Sequence, residues 1–182
     1  IPAPDMGSNA HMMSVMMDTY ANSSNSLERQ GVKRVVTGKS LECGGSLGRD
    51  KATGQGVVYC YQHYCREKGI DIKGQTVAIQ GFGNVGGHTG RILADLGAKI
   101  VAVGDHTGYI HNEKGFDVAA LLEYSRANRG VKGFGEGEAF TQDEFFAYEV
   151  DVLVPAALEK QITSDNAGTV KAKVIVEAAN GP

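Results

Sequence analysis

Apolar and polar positions along the chain fall into two periods. Residues 76–80, 98–105, 151–154 and 172–177 are short runs rich in apolar and β-branched side chains, the pattern of strands covered on both faces. Between them, apolar residues recur at helical intervals. Met12, Met13, Met16, Met17 and Tyr20 form one such stripe, and Val57, Val58, Cys60, Tyr61, Tyr64 and Cys65 a second. Ile92, Leu93 and Leu96 follow Val85 in a third, and Leu121, Leu122 and Tyr124 lie in a fourth. Strands alternating with helices predict a parallel sheet of the α/β class. Residues 1–5 read as extended, because prolines disfavour helix in the residue before them. Asp5 or Ser8 is the expected cap of the first helix, and its methionine stripe is expected in the core, with an oligomer or domain contact as the alternative. Residues 22–34 are polar and loop-like. Asp50 or Thr53 is expected to open the second helix and Lys68-Gly69 to close it. Glycines at 54 and 56 are costly in its first turns, so close packing or a ligand is expected there. Tyr109-Ile110-His111 and the turn at 112–115 predict a hairpin-like excursion, then a helix over about 117–127. Residues 130–137 read as a surface loop with Glu136 and Glu138 solvated, and Thr141 as the cap of a short helix. His63 reads as an exposed helical histidine.

The run at 76–80 leads straight into Gly81-Phe82-Gly83-Asn84-Val85-Gly86. Strand, G-x-G-x-x-G, helix and second strand arrive in order, and the second strand ends in Asp105, about twenty residues beyond the glycines. That is the layout of a dinucleotide-binding turn. Gly81 permits the tight turn, Gly83 lets backbone approach a pyrophosphate, and Gly86 lets helix and strand pack closely. The helix N-terminus offers donors to phosphate, and Asp105 stands where a carboxylate can accept from ribose hydroxyls. The fold expected is therefore a Rossmann-like, doubly wound, mainly parallel sheet. In such sheets ligands bind outside the carboxyl ends of the strands, which singles out 81–86, 104–107, 155–158 and 178–181. Paired alanines in two of these, Ala156-Ala157 and Ala178-Ala179, suit a flat ligand passing close to backbone.

Composition narrows the class without naming the chemistry. Of 182 residues, 42% are hydrophobic and 21% charged, and the formal net charge is -3. These values suit a globular domain and give no electrostatic case for nucleic acid or an anionic membrane. No apolar run reaches a transmembrane length. Cys43, Cys60 and Cys65 lack metal-ligand spacing, so no metal is expected, and reduced thiols in a cytoplasmic protein account for them. The passage Gly44-Gly45-Ser46-Leu47-Gly48-Arg49 reads either as a hinge or as donors for an anion. Asp5, taken alone, reads as a cap or turn carboxylate or as a catalytic one.

Several motifs together carry a resemblance. Pro2-Ala-Pro-Asp5, Met16-Met-Asp-Thr-Tyr20, Val36-Thr-Gly-Lys39, Gly44-Gly-Ser-Leu-Gly-Arg49, Ala52-Thr-Gly-Gln-Gly56, the turn at 81–86, Pro155-Ala-Ala-Leu-Glu159 and Ala179-Asn-Gly-Pro182 occur in that order. From end to end the chain resembles the hexameric glutamate dehydrogenases. The related leucine, phenylalanine and valine enzymes share the architecture, but their usual wording differs at Pro-Ala-Pro-Asp and Asn-Gly-Pro. The resemblance implies reversible oxidative deamination of L-glutamate to 2-oxoglutarate and ammonia with NAD or NADP, in a homo-hexamer. It makes Asp5 the acid/base carboxylate and sets Thr37 on the substrate side. Thr53 and Asn84 match positions that hold the nicotinamide carboxamide, while Asn180, Ala156 and Ala157 match ribose and nicotinamide contacts. Asp105 favours NAD, since a carboxylate there repels a 2′-phosphate; His106 and Thr107 could instead donate to one.

The resemblance divides the chain into 1–46, the edge of a substrate (dimerisation) domain and hinge, and 47–182, a dinucleotide-binding domain expected to be incomplete. The family's catalytic lysine motif and substrate-carboxylate grip precede Pro-Ala-Pro-Asp, and Lys33, Lys39 and Lys51 sit in the wrong context to replace them. The 182 residues alone are therefore expected to be inactive. Two alternatives stay open: a free-standing, non-catalytic dinucleotide-binding module, and a branched-chain or aromatic amino-acid dehydrogenase.

Overall fold

In a computed structural model of the chain, residues 1–5, 7–23 and 31–180 are described. Parts of the loop-like 22–34 passage and of the Asn180-Gly-Pro182 motif lie outside them. The chain divides into two compact units, Ile1–Asp50 and Lys51–Pro182.

The first unit holds one long helix, α1 (Ala10–Ser23), and loops. Asn9, rather than Asp5 or Ser8, caps α1: its Oδ1 accepts from the Met12 N–H at 3.0 Å. Asp5 and Ser8 instead close a turn on each other, the Asp5 N–H donating to Ser8 Oγ at 2.7 Å. The methionine stripe is not core. Met13 is 5% exposed, but Met12, Met16 and Tyr20 are 46%, 42% and 45% exposed. Among the described residues α1 packs against the 3-10 turn at Val32–Arg34, which leaves Met12, Met16 and Tyr20 exposed.

The second unit is a six-stranded sheet of order β4-β3-β2-β1-β5-β6, with β1 at Thr76–Gln80, β2 at Lys99–Asp105, β3 at Gly108–His111, β4 at Glu138–Phe140, β5 at Val152–Pro155 and β6 at Val174–Ile175. The four strands β2, β1, β5 and β6 run parallel, while β3 and β4 add antiparallel pairs beyond β2. The 108–111 excursion is therefore a hairpin on β2. The glycine-rich passage after it ends in β4, a strand that three residues, Glu-Ala-Phe, are too few to signal. In the run at 172–177, β6 itself covers Val174 and Ile175, and the Val176 and Ala178 N–H groups carry the bonding on to the Leu153 and Pro155 carbonyls.

Helices α2 (Ala52–Lys68), α3 (Asn84–Asp95) and α4 (Val118–Asn128) cover one face, where Val58, Leu93 and Leu121 meet Val77, Ile79, Ile100 and Val103. The short α5 (Gln142–Phe146) covers the other, with Phe145 and Phe146 against Ala78, Ala102 and Leu153. Covering on both faces explains the continuous apolar runs of β1, β2 and β5. Lys51, not Asp50 or Thr53, stands at the N-cap of α2, with no side-chain cap bond, and Gly69 closes the helix at φ 67. Asp117 caps α4 through Ala119 and Ala120, and Thr141 forms a capping box with Glu144. His63 is exposed on α2, 3.4 Å from Glu67. All three cysteines are free. Among the described residues no helix is long and apolar enough to cross a membrane.

Candidate functional site

The chain leaves β1 for β2 on one side and later enters β5 on the other. The carboxyl end of β1 is thus the point where strand order reverses, the place in an open α/β sheet where a crevice forms. The glycine turn sits there, and its three glycines answer to three different constraints. Gly81 has φ +87, and a Cβ would lie 2.5 Å from the Ala156 carbonyl oxygen. A Cβ on Gly86 would lie 1.8 Å from the Gly81 oxygen. Both are required by the fold itself.

Gly83 is different. It is the N-cap of α3 at φ -80 and ψ -150, an extended conformation at negative φ. A Cβ there would meet nothing within 4 Å, and the residue is exposed. No side chain caps the helix, although the first turn of a helix carries orphan N–H donors and partial positive charge. Internal packing gives no reason for glycine at 83. A ligand that comes against the backbone does, and an anion suits the donors. The turn therefore fits the pyrophosphate of a dinucleotide.

Around it the structure gathers most of the predicted positions of this unit. Asn84 is exposed and Val85 half-buried in the first turn of α3, whereas the Phe82 ring is buried in the core, leaving its backbone to line the turn. α2 crosses closely at Gly54, where a Cβ would stand 3.0 Å from the Val85 oxygen and 2.9 Å from His88 Cβ. Close packing thus accounts for Gly54. Thr53, the exposed residue before it, is carried to the same end of α3. On the other side, Ala156 N–H donates to the Gln80 carbonyl at 2.7 Å and Ala178 N–H to the Pro155 carbonyl at 2.9 Å. This sets Ala156, exposed Ala157 and the segment leading to exposed Asn180 along the same edge of the sheet.

Asp105 ends β2 half-buried and already engaged. Its Oδ1 accepts from Thr107 N–H at 2.8 Å and from Thr107 Oγ1 at 2.6 Å, and its Oδ2 from Val131 N–H at 3.0 Å. Lys132 N–H in turn donates to Thr107 Oγ1 at 3.2 Å. The carboxylate braces the 105–108 turn and fastens the 130–132 loop over it, a role that leaves no local signal in the chain. Oδ2, with a single donor, retains accepting capacity for a further hydroxyl.

Asp5 and Thr37 belong to the first unit and lie in adjoining segments. Thr37 N–H donates to the Pro2 carbonyl at 2.9 Å, and a Cβ on Gly38 would strike the Pro4 ring at 2.3 Å. Both residues are exposed. Sequence reasoning overlooked Gln80, a polar residue 2% exposed at the end of an apolar strand, whose Nε2 donates to Tyr109 Oη at 3.2 Å and Gln161 Oε1 at 2.9 Å. A polar residue closing a run otherwise covered on both faces was the available signal. Among the described residues no group of three or more His, Cys, Asp or Glu could hold a metal ion.

Comparison with known proteins agrees with this geometry. The family model for glutamate/leucine/phenylalanine/valine dehydrogenases matches residues 44–182. A glutamate dehydrogenase of Thermotoga maritima is 46% identical over 183 aligned positions, covering 100% of this chain and 43% of that protein. A cryptic catabolic NAD-specific glutamate dehydrogenase of Bacillus subtilis is 40% identical over 182, covering 100% of this chain and 42% of its own length. In structure, the hetero-hexameric glutamate dehydrogenase of Thermus thermophilus in its leucine-bound form superposes with a TM-score of 0.86 at 34% identity, over 98% of this chain and 41% of that one. The chain thus spans less than half the length of these relatives. It belongs to the glutamate/leucine/phenylalanine/valine dehydrogenase family.

Proposed function

We propose that these residues are the cofactor-binding part, with the edge of the substrate domain, of an NAD(P)-dependent glutamate dehydrogenase. The observation that carries the reading is Gly83: a glycine that the fold does not need, at the open N-terminus of α3, where the strand order reverses. The Thermotoga maritima and Bacillus subtilis relatives support glutamate over leucine, phenylalanine or valine, as both are glutamate dehydrogenases.

The bound nicotinamide supplies a hydride acceptor for the α-carbon of glutamate; water then replaces the amino nitrogen, leaving 2-oxoglutarate and ammonia. On this reading the backbone of Gly81, Phe82, Gly83, Asn84, Val85 and Gly86 holds the pyrophosphate, and the side chains of Thr53 and Asn84 orient the carboxamide. Ala156, Ala157 and Asn180 line the path of the ribose and ring. Asp5 moves protons between substrate nitrogen and water, and Thr37 lies on the substrate side. Residues 1–46 contribute the edge of the substrate domain and 47–182 the dinucleotide-binding domain. The full-length protein is then a cytoplasmic homo-hexamer that carries its catalytic lysine outside these residues.

Asp105 inclines the site to NAD, because its carboxylate would face a 2′-phosphate at close range. The NAD-specific Bacillus subtilis relative supports that lean. Glutamate turnover by the full-length protein with each cofactor in turn tests the reading. It predicts a higher kcat/KM with NAD than with NADP, and in Asp5→Asn a loss of about a hundred- to ten-thousandfold in turnover with cofactor binding retained. A protein that turns over no glutamate with either cofactor, or an Asp5→Asn variant at near-normal rate, would contradict it.

A further inference from the structure

Gln80 is a buried carboxamide among apolar neighbours. It is the last residue of β1, 2% exposed, on the sheet face that carries Ala78 and Phe145. Its Oε1 is buried without a hydrogen-bond partner among the described residues. A buried carboxamide with one atom unsatisfied costs stability relative to an apolar side chain of the same shape. What the amide gains in exchange is a set of tethers. Its Nε2 donates to Tyr109 Oη on β3 and to Gln161 Oε1 in the loop that follows β5.

That loop begins beside the glycine turn and returns to Gln80. At its start, Ala156 N–H donates to the Gln80 carbonyl, and the Ala156–Ala157 backbone is so close to Gly81 that a Cβ would stand 2.7 Å from Ala157 N. At its end, Gln161 is held from three sides: by Gln80, by its own Nε2 donating to the Glu159 carbonyl at 3.3 Å, and by Asn166 Nδ2 donating to its carbonyl at 2.8 Å. Between the two ends, exposed Lys160 sits at φ 58, in the left-handed region that a lysine rarely adopts. Such a conformation persists only where its surroundings impose it, and the bonds to Gln161 lie directly beside it.

We propose that Gln80 is a positioning residue for cofactor binding: by holding Gln161 it fixes the 156–161 loop against the Gly81 turn, and the dinucleotide binds to a surface prepared in advance. The proposal rests on the dinucleotide reading of the 81–86 turn. Preorganising a loop removes the ordering cost that binding would otherwise carry. Losing the tether therefore weakens binding without altering the chemistry that follows.

Gln80→Met and Gln161→Met remove the tether from either end at nearly constant volume. In the full-length enzyme, titrated with NADH or NADPH, each raises the Kd about five- to tenfold, the scale of one hydrogen bond. The double variant is no weaker than the worse single one, since both delete one interaction. The kcat at saturating cofactor stays within about twofold while cofactor KM rises, the mark of lost uniform binding. In Gln80→Met without cofactor, trypsin cuts after Lys160 at least about fivefold faster, because cleavage tracks the opened population, and the unfolding midpoint does not fall. Unchanged Kd and unchanged cleavage would overturn the proposal, as would a rise in Kd that appears only with a lowered midpoint. Gly83→Val separates the two claims. If it abolishes binding while both methionine variants bind as wild type, only the proposal fails. If it binds normally, the dinucleotide reading fails and the proposal with it.

Discussion

At the amino end of β1, Thr76 and Asp151 satisfy each other completely. Asp151 Oδ2 accepts from Thr76 N–H at 2.8 Å and from its hydroxyl at 3.0 Å, while Asp151 N–H donates to Thr76 Oγ1 at 3.0 Å. Asp151 Oδ1 takes Lys173 Nζ at 2.8 Å, so one carboxylate pins β1 to the approaches of β5 and β6. At the carboxyl end, Gln80 and the turn beyond it, the chain does the reverse. Gly83 leaves open space, α3 begins without a side-chain cap, and Gln80 Oε1 has no partner among the described residues. One strand thus has a closed end and an open one. The exposed, uncapped turn at 83–84, at the point where strand order reverses, is what the proposed dinucleotide would cover, whereas Gln80 Oε1 is buried beneath it.

Breaking the packing beneath the open end has the largest effect. Gly86→Ala forces a Cβ into the Gly81 carbonyl and should cost about 3 kcal/mol or more, because backbone rather than a flexible side chain must move. Chemical denaturation of wild type and variant checks it. A loss below about 1 kcal/mol would mean that the turn relaxes easily and that its glycines are not required by the fold.

The closed end is tested by Asp151→Asn, which keeps size but removes the charge shared by Thr76 and Lys173. A loss of about 1–2 kcal/mol is expected. Lys173 first, then the Thr76 N–H, hold the Asp151 carboxyl below the usual aspartate range. A lowered folded-state value means that its stabilisation is complete above the unfolded value, about 4, and is lost as pH falls through the folded one. Unfolding midpoints measured downward from pH 5 should therefore converge for wild type and Asp151→Asn. Curves that stay parallel into the acid range would remove Asp151 from the account.

The smallest effect is expected near Asp105. Arg129 ends α4 at φ 56, left-handed, and the neighbouring Gly130 is pressed against Thr107, where a Cβ would lie 2.3 Å away. Arg129→Gly should relieve that strain and raise stability by about 0.5–1 kcal/mol, with the Asp105 brace intact. A destabilised variant would show that the arginine side chain matters more than its backbone.

Legibility in the sequence followed the same division. The β1–α3–β2 unit was readable because its signals are local: an apolar run, glycines at fixed spacing, a helical stripe and a terminal acid. The caps Asp117 and Thr141 sat near the expected helix starts for the same reason. What could not be read depends on distant partners. The bond from Val131 to Asp105 spans 26 residues, and that from Gln161 to Gln80 spans 81. Neither leaves a periodic trace. The methionines of α1 were misread because period reports which face is apolar and says nothing of what covers it. Asn9 was passed over as the α1 cap in favour of Asp5 and Ser8, whose residue types suit a cap equally well.

The central claim is that the open end of β1 receives the pyrophosphate of a dinucleotide, and Gly83 tests it most directly. Titrating the full-length protein and its Gly83→Val variant with NADH, alongside their unfolding curves, separates binding from folding. The fold leaves room for the side chain, so the variant should lose no more than about 1 kcal/mol of stability as a poorer N-cap, while affinity falls at least about a hundredfold, the scale of roughly 2.7 kcal/mol. A folded Gly83→Val protein that binds NADH as tightly as wild type would contradict the claim.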